Sequence, residues 1–180
     1  MAAITEIKVL PVQKVAWDFT FAFMALRLWL GVRALFVGIQ KYAAYKSVAM
    51  PLIDPSTGQP DASGVMVNVS VKSYALANYA GIPVGLRDKF AHDPMFPKFA
   101  LTLFDRMLGP AFILTGLMLI IGLGTRVSLL VQGLLFIALT VGLVLIDAND
   151  GVAYLGIHIG LVAAAFILVQ HNRFAVLKKW

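Results

Sequence analysis

Four stretches of this chain stay apolar for the length of a bilayer crossing, and that feature limits its possible folds most. A helix needs about 20 mostly apolar residues to span a hydrocarbon core roughly 30 Å thick. Residues 19–42, 99–123, 127–146 and 152–169 meet that condition. Composition points the same way: 60% of the 180 residues are hydrophobic and only 13% charged, against roughly 45–50% and about 25% in soluble domains. The expected fold is an all-α membrane protein. It is a four-transmembrane-helix bundle in a single domain, 1–180, with a long outer loop at about 45–98 between the first two helices.

The connections carry their own signals. "GLGTR" (122–126) reads as a tight glycine turn, and the Asp and Asn of "DANDG" (147–151) suit turns and helix capping. Within the long loop, "PLIDPSTGQPDASG" is turn-rich, and "VMVNVSVKSY" alternates apolar and polar residues as a short strand does. The segment from Tyr74 to Phe99 mixes aromatic, Pro and charged residues in the manner of an interfacial cap. Residues 1–18 are interrupted by Glu6, Lys8, Lys14 and Asp18, so they read as a segment on the membrane surface, not a signal peptide. Arg126, Arg173, Lys178 and Lys179 favour cytoplasmic termini by the positive-inside rule. Lys46, Lys72, Arg87, Lys89 and Lys98 pull the other way, but from a loop long enough to weigh little.

Charges inside the spans need a purpose, because an intramembrane ionisable group is costly. The first span, "LRLWLGVRALFVGIQKY" (26–42), holds Arg27, Arg33 and Lys41. Arg27, Gly31, Ala34, Gly38 and Lys41 are spaced 4, 3, 4 and 3 apart and share one helix face. Small residues there permit close packing of another helix, with Arg27 turned into the bundle. Arg33 lies about 120° away at 100° per residue. Either arginine can be structural, paired with carbonyls or an Asp, or can mark a polar pocket. Placed by depth, Arg33, Lys41, Asp105, Arg106, Tyr154 and His158 converge in the outer half of the bundle. Gly156 and Gly160 form a G-x-x-x-G pair beside His158.

The formal charge of +6 is spread along the chain with no aromatic-interleaved basic patch, so anionic lipid or a small anion is a better partner than nucleic acid. The chain has no cysteine, which excludes disulfides, thiolate metal sites and iron–sulfur clusters. His92, His158 and His171 offer no facing pair for haem and no ligand spacing for a metal, so neither is expected.

The first span, through Arg27, Gly31, Phe36, Gly38 and Lys41, resembles the first-helix signature of the DoxX/DoxD membrane proteins. "GPAFILTGLMLIIGLGTRVSLLVQGLLF" (109–136) resembles that family's passage from second to third helix, and the long outer loop is similar to the DoxD type. The resemblance implies a subunit associated with redox chemistry in a bacterial or archaeal cell membrane. DoxD-type proteins serve thiosulfate:quinone oxidoreductase. On that footing the chain is expected to be a membrane subunit of a quinone-linked oxidoreductase, working with partner subunits and membrane quinone. His158 and Tyr154 are the candidate catalytic pair, and Arg33, Lys41 and Arg106 the candidate quinone contacts. Arg27, Gly31, Gly38, Asp105, Gly156 and Gly160 are expected to be structural. The alternative is a non-catalytic anchor or scaffold of a larger membrane complex, in which the same polar residues join helices.

Overall fold

The computed structural model describes residues 12–61, 63–94 and 97–176, with side chains from residue 17 onward. Most of the chain is helical. Helix α1 (Val12–Gln40) leads into a hairpin of β1 (Ala43–Pro51) and β2 (Met66–Tyr74). A short helix α2 (Val84–His92) follows, and then α3 (Lys98–Ile121), α4 (Thr125–Leu145) and α5 (Asn149–Leu168). Four segments, Trp17–Gln40, Lys98–Ile121, Thr125–Leu145 and Asn149–His171, are long and apolar enough to cross a membrane. These features make the chain a multi-pass membrane protein. The surface segment expected at the N-terminus lies outside the described residues as far as residue 11, and from Val12 the chain is already α1.

The bundle closes as a ring, α1 against α3, α3 against α4, α4 against α5 and α5 against α1. Its core is built from Phe23, Leu30, Phe112, Leu119, Leu129 and Ala165, all nearly inaccessible. Equally apolar side chains such as Trp29, Phe36, Leu130, Ile137 and Ile167 face outward. A helix apolar all round is what lipid contact requires.

The α1–α3 contact is the closest. A Cβ added to Gly31 would lie 3.1 Å from the Gly116 carbonyl oxygen, and one added to Gly38 would lie 3.0 Å from that of Gly109. The two helices run antiparallel, so glycines seven residues apart on one meet glycines seven apart on the other. At the far end from the hairpin, Arg27 donates through Nη1 to Asn172 Oδ1 at 2.7 Å and to the Phe174 carbonyl at 3.1 Å. Asn172 Nδ2 in turn donates to Thr125 Oγ1 at 3.0 Å. This chain of bonds ties α1, the C-terminal segment and the start of α4 together, so the buried Arg27 is a structural group.

Two expectations need correcting. All-α is only approximate, because β1 and β2 pair antiparallel over nine residues from Ala43↔Tyr74 to Pro51↔Met66. The strand at 66–74 needed a partner for its backbone groups, and the residues just after α1 supply it. The Asp–Asn turn does not cap α5 through a side chain. Its N-cap is Ala148, which has no side-chain cap bond, and Asp147 instead takes a left-handed backbone, φ 54°. The "GLGTR" turn works through its glycines, Gly122 (φ 79°) ending α3 and Gly124 (φ 53°) beginning α4.

Candidate functional site

His158 is the innermost polar group of the site. It lies nine residues into α5, about 14 Å along the helix at 1.5 Å per residue. That is deeper than a span starting at residue 152 implies, because α5 begins at Asn149. The ring is buried, packed at centroid distances of 5.3 Å from Phe136 and 5.2 Å from Tyr154. Its Nδ1 lies 2.9 Å from the Tyr154 carbonyl oxygen. From α1, the Arg33 guanidinium sits over the Tyr154 ring, 5.8 Å from its centroid, a cation–π geometry. Arg33 and Lys41 are eight residues apart and so lie on neighbouring faces of α1.

Arg33, Lys41, Tyr154 and His158 line one pocket of about 180 Å³, floored by Phe112 and Phe136. A second cavity of about 490 Å³ adjoins it toward the hairpin side and shares Lys41, Leu108, Leu139, Tyr154 and Leu155 with it. The larger cavity is almost wholly apolar. Helix α2 roofs it through Leu86 and Phe90, and Phe90 packs onto the bare backbone of α4 at Gly142. The two adjoining spaces make up a slot: Arg33 and His158 line only the smaller one, while Lys41 and Tyr154 line both.

Asp105 and Arg106 part company. The Asp105 carboxylate accepts from the Ile82 backbone N–H at 2.7 Å and pairs with Arg87 at 3.4 Å, and it interacts electrostatically with Lys41. Asp105 thus holds the loop before α2 against α3. Arg106 is exposed and lines neither cavity. One residue further along a helix is 100° round it, and neither neighbour lines the two cavities. Gly156 and Gly160 likewise fall outside the packing. Each is exposed, and a Cβ added to either meets nothing within 4 Å. Each stands two residues from His158, some 160° away around the helix, so the inward turn of His158 sends both glycines outward. Their expected packing role has no counterpart in this bundle.

Comparison with known protein families, curated proteins and solved structures returned no match.

Tyr79 is the participant that sequence reasoning passed over. Pro110 lies inside α3 and has no N–H, so the Arg106 carbonyl loses its helical partner. The Tyr79 hydroxyl enters the gap. It lies 3.0 Å from the Arg106 oxygen and 2.5 Å from the Asp105 oxygen, and it accepts the Gly109 N–H at 3.1 Å. Gly81, next to it, fits only because it lacks a Cβ, which would collide with the Asp105 backbone. The available signal was Pro110 itself, which announces an unpaired carbonyl four residues back. No group of His, Asp or Glu able to hold a metal occurs among the described residues.

Proposed function

We propose that this chain is the quinone-handling membrane subunit of an oxidoreductase, with the slot between α1, α3, α4 and α5 as its quinone site. The observation that carries this reading is the joining of a polar pocket, lined by Arg33, Lys41, Tyr154 and His158, to an apolar cavity of about 490 Å³. Small-molecule sites are typically apolar spaces of about 300–1,000 Å³ with a few placed polar groups. A quinone is an apolar ring and tail with two oxygens that need hydrogen-bonding partners, and the slot offers both environments. His158 and Tyr154 would meet one oxygen, and Arg33 and Lys41 the other. Thiosulfate as electron source, a bacterial or archaeal membrane, cytoplasmic termini and partner subunits carrying the electrons belong to the same proposal through the DoxX/DoxD resemblance.

The scaffold reading has an observation of its own. Val48, Val69, Met50 and Val67 lie on one face of the hairpin and are exposed. A lone two-stranded hairpin is marginal in water, so a docked partner would stabilise it. The two readings separate on binding. The chain purified in lipid nanodiscs is titrated with a short-chain benzoquinone, alongside Leu139→Trp, which fills the wall shared by both cavities. Saturable binding that weakens at least tenfold in the variant is expected. Absence of saturable binding, or binding indifferent to Leu139→Trp, rejects the quinone site.

A further inference from the structure

The bond from His158 to its own helix fixes which nitrogen carries the proton. The Tyr154 carbonyl oxygen can only accept, so Nδ1, 2.9 Å away, must be the donor. A neutral imidazole has one N–H, which leaves Nε2 as a bare lone pair. No hydrogen bond of Nε2 is found among the described residues, and His158 lines the pocket. The other groups around it are of different kinds. From α1 come Arg33 and Lys41, both cations that only donate, and from α5 the Tyr154 hydroxyl. Helices α3 and α4 present only Leu108, Phe112, Phe136 and Leu139 to this pocket. Further out, Asp150 lines the larger cavity and Asp105 lies near Lys41.

A quinone carbonyl set against a bare Nε2 brings two acceptors together, and even with the Tyr154 hydroxyl donating to the carbonyl it leaves Nε2 unsatisfied, a costly arrangement when buried. A quinol hydroxyl in the same place donates to Nε2 and satisfies both. The carbonyl is accommodated once Nε2 takes a proton from solvent and becomes a donor. Resting on the quinone reading of the slot, we infer that His158 couples ligand state to protonation. The quinol binds the neutral protein with no net proton uptake, and the quinone binds with uptake of one proton onto His158. The Tyr154 carbonyl makes this possible by holding Nδ1–H in both states, so that only Nε2 changes.

The test is calorimetric titration of the nanodisc-embedded chain at mildly alkaline pH, in two buffers of different ionisation enthalpy. The probes are a short-chain benzoquinone and, under anaerobic conditions, its quinol. One proton taken up per quinone and none per quinol is expected. Quinone affinity should fall by up to about tenfold per pH unit while quinol affinity stays level. His158→Gln, whose amide both donates and accepts, should bind both forms without proton uptake. Quinone binding without uptake, or uptake that persists in His158→Gln, overturns the inference and leaves the quinone site standing. Failure of the quinone to bind removes the site and the inference with it, and quinone binding without quinol binding overturns the inference alone. A ¹⁵N spectrum of the histidine-labelled protein, with His158 assigned by its loss in His158→Gln, gives a check that needs no ligand. Protonated Nδ1 with bare Nε2 is expected, and a protonated Nε2 overturns the inference alone.

Discussion

Pro110 interrupts a 24-residue helix, and the hydroxyl of Tyr79 repairs the break from a loop almost thirty residues earlier. Tyr79→Phe keeps the ring against Gly109 but strips a partner from the Gly109 N–H and from the Asp105 and Arg106 carbonyls. These groups are only partly buried, so their loss should cost about 1 kcal/mol, and the variant should melt earlier in detergent. An unchanged melt would mean that water or lipid headgroups replace the hydroxyl. Desolvation raises the Tyr79 phenol above its ordinary value of about 10. The folded protein therefore keeps its proton, and the stability that depends on it is intact below about pH 10. It is lost as pH climbs through the raised value, a loss that Tyr79→Phe should lack. Legibility at this scale followed chemistry. Arg33, Lys41, Tyr154 and His158 stood out as polar groups in apolar helices, and all four line one pocket. Asp105 and Arg106 looked like a pair because sequence lists neighbours, whereas a helix separates them by 100°. Tyr79 was illegible because its role is a tertiary approach, visible in sequence only from the proline's side.

Among the elements, α1 and α3 depend on each other through bare backbone. Gly31→Leu forces a side chain into the Gly116 carbonyl, and Gly116→Leu drives one into the Leu35 amide, where a Cβ would already lie 2.6 Å away. Overpacking of this kind costs about 1–3 kcal/mol or more, so both variants should yield less folded protein. Val32→Leu, on the exposed side of the same helix, should be nearly silent. Equal loss at Val32 and Gly31 would show that the α1–α3 contact is not the one that holds the bundle. Gly156→Leu and Gly160→Leu should also be tolerated by the isolated chain, since nothing lies within reach of either. Glycine spacing alone therefore does not identify a packing face. The α1 glycines share their stripe with Arg27 and Ala34, which are buried, while the α5 pair stands opposite His158. The strand β1 was hidden for another reason. It begins three residues after a long helix, and its link to β2 is too long to carry a two-residue hairpin signal.

At the scale of the whole molecule, the pattern of sides follows from four crossings and short turns. The hairpin, α2 and the α4–α5 turn share one end, while Arg126 at the α3–α4 turn and Arg173 near the C-terminus share the other. Arg173 stacks on Trp17 there, 4.7 Å from the ring centroid, which holds Arg173 beside the early turns of α1. Of the two ends, the hairpin end carries Lys46, Lys72, Arg87, Lys89 and Lys98, but it also carries Asp54, Asp61, Asp88, Asp93, Asp147 and Asp150. Basic residues in short loops close to the helix ends set orientation, and those in long loops contribute little. Arg126 lies in a short turn directly at a helix end and should therefore outweigh the hairpin lysines. The expected orientation puts the hairpin outside and Arg126 inside. The chain has no native cysteine, so single cysteines report cleanly. Thr57→Cys, on the exposed link between β1 and β2, should react with a membrane-impermeant maleimide added to intact cells. Arg126→Cys should react only after the cells are opened. The reverse pattern would invert the orientation and place the hairpin and α2 at the cytoplasmic face. Reaction of both from the same side would be incompatible with α3 crossing the membrane between them.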